Sequence, residues 1–429
     1  MTADLTMDVV VLGGGPAGLA AASGARAAGA STLVVEREER LGGILKQCVH
    51  DGFGLLRFKE RLSGPEYALR EAARAMAAGA QMLLEAFVTR AERGADGRFS
   101  LDCVSREGVR RVKAKALVLA TGCRERTDRQ AFIHGDRPAG IFTAGLAQYL
   151  VNVQGLLPGK RAVILGSGDI GLIMARRLVL EGVEVEGVYE IKGEPSGLTR
   201  NVHQCLENYG IALSLCSTVS EVRGRRRVEG VTIARTDARQ RMVAGSEQAI
   251  ACDTLILSVG LIPENELALS LGVPLDSATK GPRLDQNMHT LVDGVFACGN
   301  AVQVSDLADY VSESGEIAGR AAAAFALGPL RERVLVPLKA GPGLLYAVPQ
   351  FVDAASPTPV VTYFRSNSSL LEGARVTIRG SACGAILSRA YLALRPPEME
   401  RLVVPERDYT GESSIFVELE REEREAIHG

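Results

Sequence analysis

Residues 8–36 read DVVVLGGGPAGLAAASGARAAGASTLVVE. DVVVL (8–12), a short apolar run ending in glycine, reads as a buried strand. PAGLAAASGARAAG (16–29) is rich in Ala and Gly and reads as a helix; TLVVE (32–36) is the next strand. Strand, helix and strand in this order form a βαβ unit, the element of a parallel sheet. At the first junction stands Gly13-Gly14-Gly15-Pro16-Ala17-Gly18, the pattern GxGxxG. Gly13 permits the tight turn, Gly15 lets the backbone approach a pyrophosphate, and Gly18 lets the helix close on the sheet. Phosphates would rest on the helix N-terminus, where free N–H groups and the dipole favour anions. Glu36 ends the second strand, where a carboxylate accepts hydrogen bonds from an adenosine ribose. The other reading of the motif is a glycine-rich turn in an unliganded α/β domain.

The pattern repeats. AVIL (162–165) reads as a strand, 170–182 as a helix and EVEGVYE (184–190) as a strand, with Gly166-Ser167-Gly168-Asp169-Ile170-Gly171 at the first junction. Gly166 follows Gly13 by 153 residues, too far for a solenoid and right for two similar domains. Glu190 takes the place of Glu36; a carboxylate there prefers the free 2′-hydroxyl of NAD and repels the 2′-phosphate of NADP. Lys192 and Arg200, close by in sequence, soften that preference. A second domain that packs but binds no nicotinamide nucleotide is the alternative.

Other runs complete the outline. ALVLA (116–120) precedes Thr121-Gly122, LILSV (255–259) precedes Gly260, and GVFAC (294–298) runs into Gly299-Asn300. After Pro329, Pro, Val and Thr become frequent and alternating runs such as VVTYF and ARVTIRG suggest a separate, mostly β region. The tail ELEREEREAIHG reads as solvated helix, and GRRRVEG (224–230) as a basic hairpin turn. Apolar residues make up 46% and charged residues 23%, ordinary for a globular chain, and a net charge of −2 argues against a nucleic-acid binder. The closest of the eight cysteines, Cys205 and Cys216, are eleven apart, so there is no CxxC pair and no local metal or iron–sulfur pattern. Scattered cysteines, no leader-like start and no membrane-length apolar run lead us to expect a soluble cytoplasmic protein.

The order of strand–GxGxxG, Ala120-Thr121-Gly122, second GxGxxG and VFACGN resembles the flavoproteins with two dinucleotide-binding domains, glutathione-reductase-like and thioredoxin-reductase-like enzymes among them. GGILKQCVHDGFG (42–54), GPEYA (64–68), RPAGIFTAGLAQ (137–148), LSVGLIPENELA (257–268) and FACGNAVQVSDLADYVSESGEIAG (296–319) narrow the resemblance. They are similar to flavoprotein subunits found with anaerobic-type glycerol-3-phosphate dehydrogenases and to α subunits of sarcosine oxidase, proline dehydrogenase and opine oxidase. A weaker echo lies in RPPEMERLVV (395–404). The resemblance implies an α/β fold of two Rossmann-like domains of the pyridine-nucleotide-disulfide-oxidoreductase type. FAD would occupy 1–125 with 285–335, NAD(P) would occupy 126–284, and a small β-rich domain would span 336–429. It further implies FAD on Gly13, Gly15, Pro16, Ala17, Gly18, Glu36, Arg37, Gly43, Val88, Ala120, Thr121, Gly122, Gly299 and Asn300. NAD would lie on Gly166, Gly168, Asp169, Gly171, Glu190 and Gly260. Where the family ends its last strand in Gly-Asp, this chain has Gly299-Asn300; an amide still hydrogen-bonds a ribitol but carries no charge.

By the same resemblance Gln47, Cys48 and His50 lie near the flavin ring. Either they tune the flavin or handle a proton, or they are a buried thiol and a structural imidazole; the second reading is preferred. Disulfide reductases carry a paired cysteine here, and Cys48 has no sequence neighbour with which to form a local relay. Packing is expected for Cys123 and Cys298, and structural roles for His203 and His289. Three functions follow. The first is an FAD subunit exchanging electrons between NAD(H) and a partner dehydrogenase subunit. The second is a self-contained NAD(P)H oxidase or small-molecule reductase. The third is an α subunit of an amine- or opine-type dehydrogenase whose second nucleotide site is structural.

Overall fold

The computed structural model describes residues 5–371 and 373–421. The chain divides into two compact units, Met1–Cys123 with Pro263–Gly429, and Arg124–Ile262.

In the first unit, strand Leu5–Leu12 lies between strands Thr32–Val35 and Gly108–Leu119, parallel to both. Val9, Val10, Val11, Val34, Leu117 and Val118 are wholly buried, because strands covered on both faces carry continuous rather than alternating apolar runs. Strand Gln81–Leu83 extends the sheet on one side, and Val295–Ala297 adds to Gly108–Leu119. An antiparallel ribbon, Phe87–Arg93, Phe99–Ser105 and Gly108–Leu119, completes it. Helix Pro16–Ala27 starts with proline, whose missing N–H costs nothing in a first turn, and stops at Gly29, whose φ is +90°. It packs on helix Ala308–Leu327 at backbone distance: a Cβ at Gly315 would stand 2.1 Å from the Ala17 carbonyl oxygen, and one at Gly319 1.9 Å from that of Ala21.

The region after Pro329 forms a five-stranded sheet, in the order Phe351–Asp353, Leu335–Ala340, Ile415–Arg421, Ala374–Gly380 and Gly384–Tyr391. A three-stranded sheet, Leu344–Val348, Val360–Ser366 and Glu400–Val404, accompanies it. It has its own core around Val352, Phe364, Val376 and Val417. Two expectations change here. Residues 263–284 join the first unit rather than the nucleotide domain assigned to 126–284, because Ala268, Val273 and Leu284 are buried in the first unit's core. In the tail, 418–421 belong to strand Ile415–Arg421 rather than a helix, with Leu419 packed on the β core; the rest of the tail lies outside the described residues.

The second unit holds a parallel sheet in the order Ile141–Thr143, Thr254–Leu257, Arg161–Leu165, Glu184–Tyr189 and Leu213–Ser214. Along Arg161–Leu165 the side chains alternate between two cores, Ala162 and Ile164 in one, Val163 and Leu165 in the other. The second core is closed by an antiparallel sheet that includes Ser217–Arg223 and Gly230–Arg235, and GRRRVEG forms the turn between them.

Candidate nucleotide-binding sites

Each glycine of the first loop is required for a different reason. Gly13 has φ +110°, and a Cβ there would stand 2.4 Å from the Ala120 carbonyl oxygen. A Cβ at Gly18 would stand 1.9 Å from the Gly13 carbonyl oxygen. Gly15 is the opposite case: its Cβ would meet nothing closer than the Gly43 Cα at 3.8 Å, an ordinary contact without a clash. Gly15 caps helix Pro16–Ala27 without a side-chain hydrogen bond, leaving the first-turn N–H groups for an anion. The buried Glu36 carboxylate accepts from the Gly14 N–H at 2.6 Å and from the Glu38 N–H at 2.9 Å. Arg37 follows it, exposed, and half-buried Val88 lies just past Ala86, whose N–H donates to the Glu36 carbonyl at 2.9 Å. Gly42 donates to the Gly14 carbonyl at 2.8 Å and brings Gly43 against Gly15. These residues fit the pyrophosphate and adenosine ribose of FAD.

Against the first loop lie Ala120-Thr121-Gly122 and Gly299-Asn300. Thr121 Oγ1 donates to the Glu264 carbonyl at 2.6 Å, and the Glu264 N–H donates to the Gly122 carbonyl at 3.0 Å. The outgoing and returning chains are thereby tied together. Gly299 has φ +65°, and a Cβ there would stand 2.7 Å from the Ala17 Cβ. Asn300 spends both ends of its amide on the protein: Nδ2 reaches Cys123 Sγ at 3.7 Å, and Oδ1 accepts from the Ser305 N–H at 3.1 Å.

The second loop repeats the first. Gly166 has φ +94°, and its Cβ would stand 2.1 Å from the Ser258 carbonyl oxygen. The Gly171 N–H donates to Ser258 Oγ at 3.1 Å, and Gly168 caps helix Asp169–Leu180 without a side-chain bond. The Glu190 carboxylate, 3% exposed, accepts from the Ser167 N–H at 3.0 Å, the Ser167 hydroxyl at 2.6 Å and the Lys192 N–H at 3.1 Å. Asp169 Oδ1 accepts from the Leu198 N–H at 2.9 Å and Asn201 Nδ2 at 2.6 Å, so it fastens the following segment rather than pointing to open space. Gly260 stands exposed at the rim with φ +102°.

The segment after Gly43 is held from two sides. Gln47 and Cys48 are buried in and just after the short helix Gly43–Gln47, and His50 is half-buried, tilted over Phe53 at 5.0 Å. Burial pushes the Cys48 thiol up to about 12, so it is a thiol, not a thiolate, at neutral pH. Asp309 accepts from the Arg57 N–H at 2.8 Å and the Gly54 N–H at 3.3 Å, while Arg57 pairs with Glu71 and Glu316. Cys298 is fully buried with its thiol pushed up to about 12. His289 Nε2 accepts from the Gly294 N–H at 3.0 Å and its ring stacks on Phe296 at 4.2 Å, a structural role.

A family model described as pyridine nucleotide-disulphide oxidoreductase matches residues 7–322, which include both glycine loops and most of helix Ala308–Leu327. The chain belongs to the pyridine nucleotide-disulphide oxidoreductase family. It is 25% identical to an opine oxidase subunit of Agrobacterium tumefaciens over 76% of its own length and 66% of the relative's. It is 28% identical to a hydrogen cyanide synthase subunit of Pseudomonas protegens over 63% of its length and 60% of that protein's. The chain thus spans less than two thirds of these relatives. With thioredoxin reductase of Treponema pallidum the identity is 26%, over 74% of this chain and 96% of the relative. The crystal structure of T. acidophilum thioredoxin reductase shares the fold, with a TM-score of 0.59 and 24% identity over 75% of this chain and 98% of that one.

Membership of this oxidoreductase family implies FAD and a pyridine nucleotide. Sequence reading missed the residues that support the two loops: Ser258 under the second loop, Ser167 as a hydroxyl clamp, Asp309 on the Gly54–Arg57 turn, and Gly315 with Gly319 behind Ala17. Only the last pair had a signal, two glycines four apart in an alanine-rich helix. No helix among the described residues is long and apolar enough to cross a membrane.

Proposed function

We propose that this chain is an FAD-dependent oxidoreductase subunit that passes hydride between NAD(H) and FAD and exchanges electrons with a partner dehydrogenase subunit. The observation that carries the reading is the repeated pair of loop and carboxylate, Gly14 with Glu36 and Ser167 with Glu190. Bound FAD and NAD would supply the redox chemistry. The chain contributes the rest. Gly13, Gly15, Pro16, Ala17 and Gly18 present a helix N-terminus to a pyrophosphate; Glu36 faces the adenosine ribose, and Gly299 and Ala120-Thr121-Gly122 lie against the loop. Gly166, Gly168 and Gly171 do the same for NAD, and the buried Glu190 carboxylate favours a 2′-hydroxyl over a 2′-phosphate by charge repulsion.

Electrons leave by a route other than a local disulfide: no second cysteine neighbours Cys48 in sequence, and its thiol stays protonated. Partner exchange is supported by the relatives named as subunits of opine oxidase and hydrogen cyanide synthase. A self-contained NAD(P)H reductase is the second reading, favoured by the match to nearly the whole of a thioredoxin reductase. Anaerobic stopped-flow tests the first: flavin absorbance at about 450 nm is followed after mixing with NADH and with NADPH. Rapid bleaching by NADH and slow bleaching by NADPH is expected, with slow turnover on oxygen or quinones. A yellow protein that neither nucleotide bleaches sinks the redox role of the second loop, and fast oxygen or quinone reduction by the isolated chain moves the assignment to the self-contained reductase.

A further inference from the structure

The RPPEMERLVV segment belongs to neither glycine loop, yet its polar atoms converge on the chain that leads out of Gly299-Asn300. Asp306 lies between that turn and helix Ala308–Leu327. One of its carboxylate oxygens accepts from Arg365 Nη2 at 2.6 Å, the other from the Met399 N–H at 2.5 Å. Arg365 is fully engaged: Nε donates to the Tyr346 hydroxyl at 3.2 Å and Nη1 to the Pro396 carbonyl at 2.9 Å. Further along the helix, the Glu313 carboxylate accepts from Arg401 Nε at 2.8 Å and Nη2 at 2.5 Å, and from the Tyr363 hydroxyl at 2.7 Å. Every one of these donors comes from the β region after Pro329. The other end of the same stretch is fixed to the first loop. Ser305 donates to Asn300, the Gly299 N–H donates to Ser314 Oγ at 3.0 Å, and Gly299 touches Ala17 of the first loop.

We propose that the C-terminal β region is a positioning element for the FAD turn Gly299-Asn300, acting through Asp306 and Glu313, which Arg365, Met399 and Arg401 hold in place. The inference rests on the FAD reading of the first loop. A carboxylate with both oxygens taken by directional donors is held in one orientation, and removing the cation takes away one of those donors. The strain then falls on the backbone of 300–306, whose next fixed point is the glycine that meets Ala17. The C-terminal region is therefore felt at the flavin even though none of its residues belongs to the first loop.

The test compares full-length Arg365→Met, Arg365→Lys, Asp306→Asn and Arg401→Met with Arg379→Gln, which breaks an exposed pair with Glu418 in the same β region. FAD affinity is read by fluorescence on reconstituting the deflavinated chain, together with the bound flavin's absorbance band and the melting temperature of the flavin-free chain. About tenfold weaker FAD binding and an altered band are expected for Arg365→Met and Asp306→Asn. Arg365→Lys should recover part of the loss, and Arg379→Gln should behave as wild type. A lower melting temperature with unchanged FAD affinity and spectrum overturns the proposal, leaving these pairs merely structural. If Arg365→Met does not fold, Arg401→Met decides by the same readouts. A wild-type chain that binds no FAD sinks the reading of the first loop and this inference with it; normal binding by the wild type and all variants sinks the positioning role alone.

Discussion

The two glycine loops share a plan and differ in how tightly they are built. In both, the residue after the first glycine donates its N–H to the buried carboxylate ending the next strand, and a residue two positions further on donates to that carboxylate's second oxygen. The first loop closes harder: a Cβ at Gly18 would stand 1.9 Å from the Gly13 carbonyl oxygen, whereas one at Gly171 would stand 2.8 Å from that of Gly166. It is also backed by Gly299, Gly315 and Gly319, each at contact distance from helix Pro16–Ala27. The second loop is covered by a polar strap. Ser196 donates to Ser167 Oγ at 2.8 Å and Leu198 donates to Asp169. A backbone-packed clamp suits a group that stays; a loop covered by a few hydrogen bonds suits one that exchanges.

The largest effect is expected where the first clamp is tightest. Gly18→Ala puts a methyl against a backbone oxygen that no rotamer change can relieve, so overpacking of about 1–3 kcal/mol and loss of bound FAD should appear together. Gly171→Ala meets Ser258 Cβ at 2.7 Å as well as Gly166. Its cost should be smaller, and FAD content should survive while nicotinamide nucleotide binding falls. Melting temperature and flavin content of the two purified variants decide this. Equal flavin loss would break the contrast between the loops.

Next in size is the carboxylate pair. Glu190→Ser leaves the Ser167 and Lys192 N–H groups short of an acceptor and removes the charge that repels a 2′-phosphate. A loss of about 1–3 kcal/mol in NADH binding is expected, with NADPH gaining relative to NADH and FAD untouched. Titrating both nucleotides against variant and wild type measures it. An unchanged NADH/NADPH ratio would detach Glu190 from ribose recognition.

Gly15→Ala should act on the ligand alone. Its Cβ would have 3.8 Å to the nearest atom, so the flavin-free chain should melt within about 0.5 kcal/mol of wild type while FAD binding weakens. Failure of the flavin-free variant to fold would show that Gly15 is structural, like Gly13 and Gly18.

Most of this contrast could not be read from the sequence. The βαβ units were legible because buried parallel strands are apolar throughout and end in glycine, as at 8–12 and 162–165. The two nucleotide-type loops were legible for the same reason. What was missed lies across the fold. Ser258 follows a strand with nothing to mark it as the floor of the second loop. Asp309 looks like an ordinary helix-start acid, though it grips Gly54 and Arg57. The polar half of Gly108–Leu119 alternates because it pairs antiparallel with Phe99–Ser105, so only the apolar 116–120 stood out. The 263–284 segment was misplaced because local pattern says nothing about which core buries Ala268 and Leu284.

The smallest effect in the wild type is the response to acid of the unit that carries the first loop. Asp285 and His289 are buried in the unit that carries the first loop. Burial raises the Asp285 carboxyl from 3.8 to about 6, against the pull of Arg333 and the N–H groups of Asn287 and His289. Burial, with Arg333 and Arg331 nearby, lowers His289 from 6.5 to about 3. The histidine's contribution is full above pH 6.5 and is lost as pH falls towards 3, since only the unfolded chain takes the proton. The aspartate acts in the opposite sense: its contribution is full below pH 3.8 and is lost as pH rises through about 6. Between these values the two offset, and wild-type stability should be nearly flat. Asp285→Asn should expose the histidine, with stability falling on acidification by up to about 1.4 kcal/mol per pH unit. His289→Gln should expose the aspartate, with the reverse slope. Denaturant melts across this pH range measure both, and parallel slopes in the two variants would show that the pair does not titrate in opposition.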